Sequence, residues 1–142
     1  MLVEPVVESG AANSVAKRGQ LPGQVVPSKM SLAGKNYRGP DGRPIENEGQ
    51  QDVRFSTDEG HKCGMTWQVA RVERPLIAVS QLTAAGNSVA FDDDGGTITH
   101  KKTGRVIKFA RRGGVYVLNL WVVPENPGSG EKSSVFPRPG SS

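Results

Sequence analysis

Residues 2–13 read LVEPVVESGAAN, a short apolar run that ends in small and polar residues. An apolar run of this length that is closed by Ser, Gly and Asn is typical of a strand followed by a tight turn. Pro5 has no amide hydrogen, so this strand lies at a sheet edge or begins after the proline. The stretch therefore predicts a short strand that presents Glu8, Ser9 and Gly10 on a turn.

The same kind of pattern continues to residue 123. Residues 65–72 (MTWQVARV) alternate apolar and polar side chains, which predicts a half-buried strand. Residues 75–79 (PLIAV) are continuously apolar, as in a strand buried on both faces. Residues 115–123 (VYVLNLWVV) form the longest apolar stretch and predict a central or intersubunit strand with both faces covered. Further short strands are expected at residues 24–26, 52–55, 89–91, 97–100 and 106–109.

The composition favours an all-β chain with a single domain. The 142 residues include 18 Gly and 10 Pro, and frequent turns favour short strands over long helices. One short helix is expected, capped by Ser80 and ended by Gly86. After Pro124 the composition changes to Pro, Gly, Ser and charged residues. We therefore expect a domain over residues 1–123 and a disordered or extended tail over residues 124–142.

Charge and hydropathy argue against several classes of function. The net charge of +4 does not give the density of positive charge that a nucleic-acid-binding surface has. A nucleic-acid-binding module would also need its basic residues on one face. The basic cluster at positions 101–112 is instead expected on both faces of a hairpin. No stretch approaches the about 20 apolar residues of a membrane helix, and the N-terminus does not read as a signal peptide. The single cysteine excludes an intrachain disulfide and is compatible with a reducing compartment.

No metal or cofactor is expected. His61 and Cys63 are close in sequence, but His100 lies far away, so the three make a weak ligand set. The run Asp92–Asp94 lacks the ligand spacing and the closing glutamate of a calcium loop, and predicts a solvated hairpin tip. Ser9 has no Gly-x-Ser-x-Gly motif around it, which argues against a nucleophilic serine.

Several blocks, in the right order, resemble the retropepsin-like aspartic proteases of Copia-type retrotransposon polyproteins. Residues 8–12 (ESGAA), directly after an apolar strand, resemble the Asp-Ser/Thr-Gly-Ala signature of that family. Residues 74–82 (RPLIAVSQL) look like its second apolar strand and the short helix that follows. Residues 85–92, 102–104 and 114–118 are similar to a recurrent segment of the same polyproteins. The resemblance covers roughly residues 3–123.

The resemblance implies a pepsin-like half: a closed barrel of short strands with one short helix, in which the Glu8 turn lies next to the segment at residues 75–79. In the family each subunit supplies one aspartate, and two carboxylates about 3 Å apart share a proton and activate a water. A homodimeric endopeptidase is implied, in which Ser9 and Gly10 shape the turn. A hairpin over residues 37–49, turning at Asp41-Gly42, would close as a flap over the peptide substrate.

Glu8 stands where the family has its catalytic aspartate. The added methylene moves the carboxylate by about 1 Å, and misplacement of that size costs on the order of 10²-fold in rate. We therefore expect an impaired or inactive protease, and the seven residues before Glu8 are a short start for a dimer-forming strand. The alternative is a structural or accessory subunit that binds within a larger assembly through its sheet edge and C-terminal tail. Glu8 carboxylates that face each other across a two-fold axis would indicate the enzyme.

Overall fold

The computed structural model describes residues 1–39 and 41–123, which form a mostly β structure with two short helices. In chain order the elements are β1 (Leu2–Val3), β2 (Val6–Glu8), β3 (Val15–Ala16), α1 (Lys29–Leu32), β4 (Asn36–Arg38), β5 (Pro44–Glu46), β6 (Gly49–Ser56), β7 (Lys62–Val69), β8 (Leu76–Ala78), α2 (Val79–Ala84), β9 (Asn87–Phe91), β10 (Gly95–His100), β11 (Val106–Arg112), β12 (Val115–Val117) and β13 (Leu120–Val122). The predicted all-β character is confirmed, and the predicted tail lies outside the described residues.

Eleven of these strands form one sheet, in the order β1-β13-β6-β7-β3-β8-β2-β12-β11-β10-β9. Most neighbours are antiparallel, but β2 runs parallel to β8 and β3 runs parallel to β7. No described strand joins β1 to β9, so the expected closed barrel is wrong. Closure requires hydrogen bonds between the two end strands, and β1 offers only two residues before Pro5, which has no amide hydrogen.

One hydrophobic core serves the whole sheet. Val3 at one end and Ile98 near the other belong to the same buried cluster, so the open sheet must curve around it. Trp67 is fully buried at its centre, and β6 and β7 alternate buried and less buried residues, as the sequence predicts for residues 65–72.

The longest apolar stretch is two strands rather than one. β12 pairs with β2 and β11, whereas β13 pairs with β1 and β6, and Asn119 lies at the crossing between them. Both strands are interior in the sheet, but Trp121 is 46% exposed, so the expected burial of both faces is wrong there. Its ring nitrogen donates to Asp58 Oδ1 at 2.8 Å, which satisfies an indole that faces outward. The strand expected at residues 24–26 is reduced to one bridge between Val26 and Gln50.

The helices differ from expectation in number and in capping. The structure has α1 in addition to the one helix that the sequence predicts, because Ser28 and Ser31 form a reciprocal capping box, with Ser31 N donating to Ser28 Oγ at 3.0 Å. α2 begins after Ala78, so Ser80 is not its N-cap. Gly86 follows the helix with a φ of 91°, as expected for its end. Neither described helix has the length and apolarity to span a membrane.

The acidic run is a hairpin tip, as predicted. Asp92 accepts hydrogen bonds from the backbone of Asp94 at 2.9 Å and of Gly95 at 2.8 Å, and so closes the turn between β9 and β10. Its carboxylate therefore has a structural partner within the turn.

Candidate active site

The turn that carries Glu8 lies beside the PLIAV segment, as the sequence predicts. β2 and β8 pair in parallel with Glu8 opposite Ala78, and Val6 N donates to the Pro75 carbonyl at 2.9 Å. Because the two strands run in the same direction, the Glu8 turn and the start of α2 leave the sheet at the same edge. Glu8, Ser9 and Gly10 are all solvent-exposed there.

The Glu8 carboxylate folds back onto its own turn. Its Oε1 accepts a hydrogen bond from the backbone N–H of Gly10 at 3.2 Å. The glutamate side chain is long enough to reach two residues along the backbone. Among the residues that the structure describes, no basic side chain forms an ion pair with it.

Ser14 fixes the end of the loop that follows this turn. Its fully buried hydroxyl accepts from Ala78 N at 3.0 Å, and its carbonyl accepts from Gln68 N at 2.8 Å. Its backbone N–H donates to Gln81 Oε1 at 3.1 Å, and the Gln81 amide donates in turn to the Thr66 carbonyl at 2.9 Å. One residue thus joins the loop to β7, β8 and α2.

Ser80 holds the middle of the same loop. Its hydroxyl lies 3.2 Å from the Ala11 carbonyl and 3.3 Å from the Ala12 carbonyl, as their donor. This contact is the role that Ser80 has instead of the predicted helix cap. The loop from Glu8 to Ser14 is therefore fastened at two points, and the exposed Glu8–Gly10 turn projects from a braced base.

The predicted hairpin forms from β4 and β5, which make a separate two-stranded sheet. Gly42 has a φ of 79°, which a residue without a side chain adopts at no steric cost. Asp41 Oδ1 accepts from Arg43 N at 3.0 Å and Gly39 N donates to the Arg43 carbonyl at 2.9 Å, so these contacts close the turn. The hairpin is confirmed, and its role as a flap stays a prediction.

Tyr37 connects this hairpin to the loop that follows Glu8. Its hydroxyl accepts from Asn47 Nδ2 at 3.3 Å, the same amide donates to Gln68 Oε1 at 2.9 Å, and Gln68 N donates to the Ser14 carbonyl at the end of that loop. Partial burial raises the pKa of Tyr37 above its usual 10.0, and the neighbouring side chains of Asn47 and Asn13 only partly oppose that shift. The hydroxyl is therefore protonated at neutral pH, with its oxygen as the acceptor from Asn47.

Asn47 is the polar centre at the base of the hairpin. It is 2% exposed, and its amide donates to Gln68 Oε1 at 2.9 Å and to the Tyr37 hydroxyl at 3.3 Å. Its oxygen accepts from Ser28 Oγ and from Gly49 N, both at 2.9 Å. Donors and acceptors of this buried amide are thus satisfied, and it joins α1, β4, β6 and β7.

These bracing residues are not among the predicted site residues. Ser14, Tyr37, Asn47 and Gln81 match no motif, and each contacts residues at least ten positions away in sequence. The sequence signal that could have identified them is weak, because each is only a polar residue in or beside a short strand or helix.

The histidines and the cysteine have structural environments. His61, Cys63 and His100 line a cavity of about 10 Å³, which is about the space of one water molecule. His100 Nδ1 lies 2.9 Å from Thr103 Oγ1, and Cys63 Sγ lies 3.9 Å from the His61 carbonyl. Over residues 1–39 and 41–123, no three His, Cys, Asp or Glu side chains are arranged to bind a metal ion.

The basic cluster is divided between two faces of β11. Lys108 and Arg112 alternate with the buried Ile107 and Phe109, whereas Arg111 lies on the opposite side of the strand, within 5.9 Å of the Tyr116 ring centroid. Arg112 also donates to Asn119 Oδ1 at 2.8 Å. The single basic face that a nucleic-acid module requires is therefore missing from this strand.

The chain matches no family model, and neither a curated protein nor a solved structure is similar to it. The groups that bear on its chemistry are the Glu8 turn, the hairpin and the loop between them.

Proposed function

We propose that this chain is a retropepsin-like domain of retrotransposon origin, and that it acts as a homodimer on polypeptides with activity impaired by Glu8. One observation carries the proposal: the Glu8 turn leaves β2 beside the parallel β8, while the β4–β5 hairpin is linked to Ser14, at the end of the loop that follows the turn, by hydrogen bonds through Tyr37, Asn47 and Gln68. An exposed acid, a tight turn and a hairpin are thus connected to the same loop. A two-fold carboxylate site needs these three parts.

In the proposed reaction each subunit supplies one Glu8 carboxyl group. Two like charges about 3 Å apart cannot both ionise, so one group stays protonated and the other is a carboxylate. The carboxylate takes a proton from a bound water as that water attacks the peptide carbonyl, and the protonated group donates to the carbonyl oxygen. The newly protonated carboxyl group then donates to the amide nitrogen as the C–N bond breaks, and the other carboxylate takes a proton from the diol, which leaves a free acid and an amine. The small Ser9 and Gly10 let the two turns approach, and the hairpin with Asp41 and Gly42 at its tip covers the peptide.

The hydrogen bond within the turn supports a weakened enzyme. Glu8 Oε1 lies 3.2 Å from Gly10 N, so the carboxylate points back at its own backbone. The glutamate must leave this position, or reach the axis from a displaced one, before two carboxylates can share a water. A misplacement of about 1 Å is enough to cost on the order of 10²-fold in rate.

A second candidate function is a non-enzymatic accessory subunit. The exposed Glu8 carboxylate accepts a hydrogen bond from within its own turn, which favours a turn without catalytic function. The sheet also ends in an open edge strand, β9, that can accept a partner.

Cleavage by Glu8→Asp separates these two functions. Shortening the side chain by one methylene restores the family's acid, so we expect the variant to cleave a peptide library at pH 4–7 about 10²-fold faster than the unchanged chain. Glu8→Gln is the matched control, because it keeps the length of glutamate but cannot ionise, and it should be inactive.

Two outcomes would contradict the proposal. Cleavage that persists in Glu8→Gln would place the activity elsewhere, since no carboxylate then remains at the turn. No cleavage by either the unchanged chain or Glu8→Asp, with both folded by circular dichroism, would leave the accessory subunit as the function.

A further inference from the structure

The two edge strands of the sheet, β1 and β9, differ in how well they are protected against pairing with another strand. β1 is two residues long and is followed by Pro5, which cannot donate to a new neighbour. β9 has five residues, Asn87–Phe91, and carries no charged side chain and no proline. Edge strands are kept from pairing with other chains by short length, charged side chains, proline or bulges. Of these features β9 has only its modest length.

The free edge of β9 presents backbone groups that can pair with another strand. Lys101 N donates to the Gly86 carbonyl at 3.1 Å, and Asp92 N donates to the Gly95 carbonyl at 2.7 Å. In an antiparallel ladder the bonded pairs alternate, so Ser88 and Ala90 bond to β10, while the N–H and C=O groups of Val89 and Phe91 point outward. In the part of the chain that the structure describes, no strand pairs with this edge.

Opposite charges stand at the two ends of β9. Its C-terminal end leads into the exposed acidic turn, where Asp93 and Asp94 follow the turn-closing Asp92. Its N-terminal end lies beside the exposed basic turn that begins at Lys101 and Lys102, since Lys101 N is bonded to Gly86. A strand that runs antiparallel to β9 and repeats its sequence would therefore bring acidic residues to basic ones at both ends.

We propose that β9 is a docking edge for a second copy of this chain, paired antiparallel about a two-fold axis at Val89. In this register Phe91 lies opposite Asn87 of the other copy, and the acidic turn of each copy lies beside the basic turn of the other. A parallel pair would instead set like charges side by side. Charge complementarity therefore favours the antiparallel direction of pairing and a second copy of this chain as the partner.

The pairing also covers apolar surface. Phe91 is 41% exposed, although its ring contacts Tyr116 with centroids 4.9 Å apart and Phe109 at 5.4 Å. Val89 is only partly buried, and in the proposed register it meets Val89 of the other copy directly. Extending the sheet would shield both side chains and the outward backbone groups at once.

This interface is separate from the proposed active site. β9 lies four strands from β2, which carries Glu8, so neither interface requires the other. An isologous β9 pair and an isologous Glu8 pair on the same chain would allow assembly beyond a dimer.

The test measures self-association of the full chain by analytical ultracentrifugation, over a range of protein and salt concentrations. We expect about tenfold weaker association for Asp93→Lys with Asp94→Lys, because two attractions at each end become repulsions. Lys101→Glu with Lys102→Glu should weaken it similarly. All four changes together should restore association, since the charges are then exchanged rather than lost. Higher salt should weaken the association of the unchanged chain.

A matched control and a register test accompany these variants. Lys29→Glu with Lys35→Glu makes the same change in net charge as the Lys101 and Lys102 variant, at exposed positions away from β9, and should leave association unchanged. The register sets the exposed Ser88 opposite Ala90 of the other copy in a close, non-hydrogen-bonded pair. A mixture of Ser88→Cys and Ala90→Cys chains should therefore form an intermolecular disulfide faster than either variant alone.

Three results would overturn the proposal. The first is a chain that stays monomeric at every concentration. The second is association that neither turn variant weakens, or that the four-residue exchange does not restore. The third is disulfide formation that is no faster in the mixture than in the separate variants.

Discussion

Gly95→Ala is expected to destabilise the protein by about 3 kcal/mol, at the upper end of the cost of overpacking. A Cβ at this position would overlap the Phe109 carbonyl oxygen, far inside van der Waals contact, and would lie 3.0 Å from Ala110 Cα. Both atoms belong to the backbone of β11, which is paired with β10, so neither can move without breaking the ladder. Chemical denaturation of the two proteins measures the difference in the free energy of unfolding.

Gly10→Ala is the matched control for this substitution. Its Cβ would meet only Glu8 Oε1 at 3.5 Å, an ordinary contact with a flexible side chain. We expect a change within about 0.5 kcal/mol, as for most substitutions at exposed positions. Equal stability of Gly95→Ala and Gly10→Ala would contradict the close packing of β10 on β11.

Asn47→Ala is expected to cost about 3 kcal/mol, because it leaves several buried hydrogen-bonding groups without a partner. Ser28 Oγ, Gln68 Oε1 and Gly49 N each lose a contact of 2.9 Å. The described residues of α1, β4 and β5 include no buried apolar side chain, so these elements depend on this polar centre more than on the core. Amide hydrogen exchange should therefore show loss of protection first in residues 28–46.

Asn36→Ala is the control, since it removes the same side chain from an exposed position in β4. It should leave both stability and the exchange pattern nearly unchanged. Uniform loss of protection over the whole sheet in Asn47→Ala, with no preference for residues 28–46, would contradict a local role for Asn47.

Local patterns in the sequence predict much of the fold. The alternation at residues 65–72 predicts a strand that β7 confirms as far as Val69, β8 (Leu76–Ala78) confirms the middle of the apolar run at residues 75–79, and Asp-Gly and Asp-rich turns mark two hairpins. The adjacency of the Glu8 turn and β8 follows from the family resemblance and is confirmed by their parallel pairing. These features depend on residues that are close in sequence or on a pattern carried by each segment.

Features that depend on distant contacts could not be predicted. The stretch at residues 115–123 reads as one strand, but its two halves have different neighbours, and only the tertiary structure fixes where the chain crosses. Whether the end strands of a sheet meet is likewise a property of the whole sheet, so the barrel prediction failed. The bracing of the candidate site by Ser14 and Asn47 relies on single polar contacts between remote segments, which leave no periodic signal.

The most direct test of the proposed function is the distance between two Ser9 positions in the assembled protein. Spin labels at Ser9→Cys, in a Cys63→Ala background, report this distance by dipolar electron paramagnetic resonance. A shared Glu8 site predicts about 20 Å or less, because two Glu8 carboxylates that share a proton lie about 3 Å apart. Pairing through β9 alone separates the Ser9 positions by about 40 Å along the sheet, at about 4.8 Å for each strand. An assembly that shows only the long distance, or none, would contradict a Glu8 site shared between two copies.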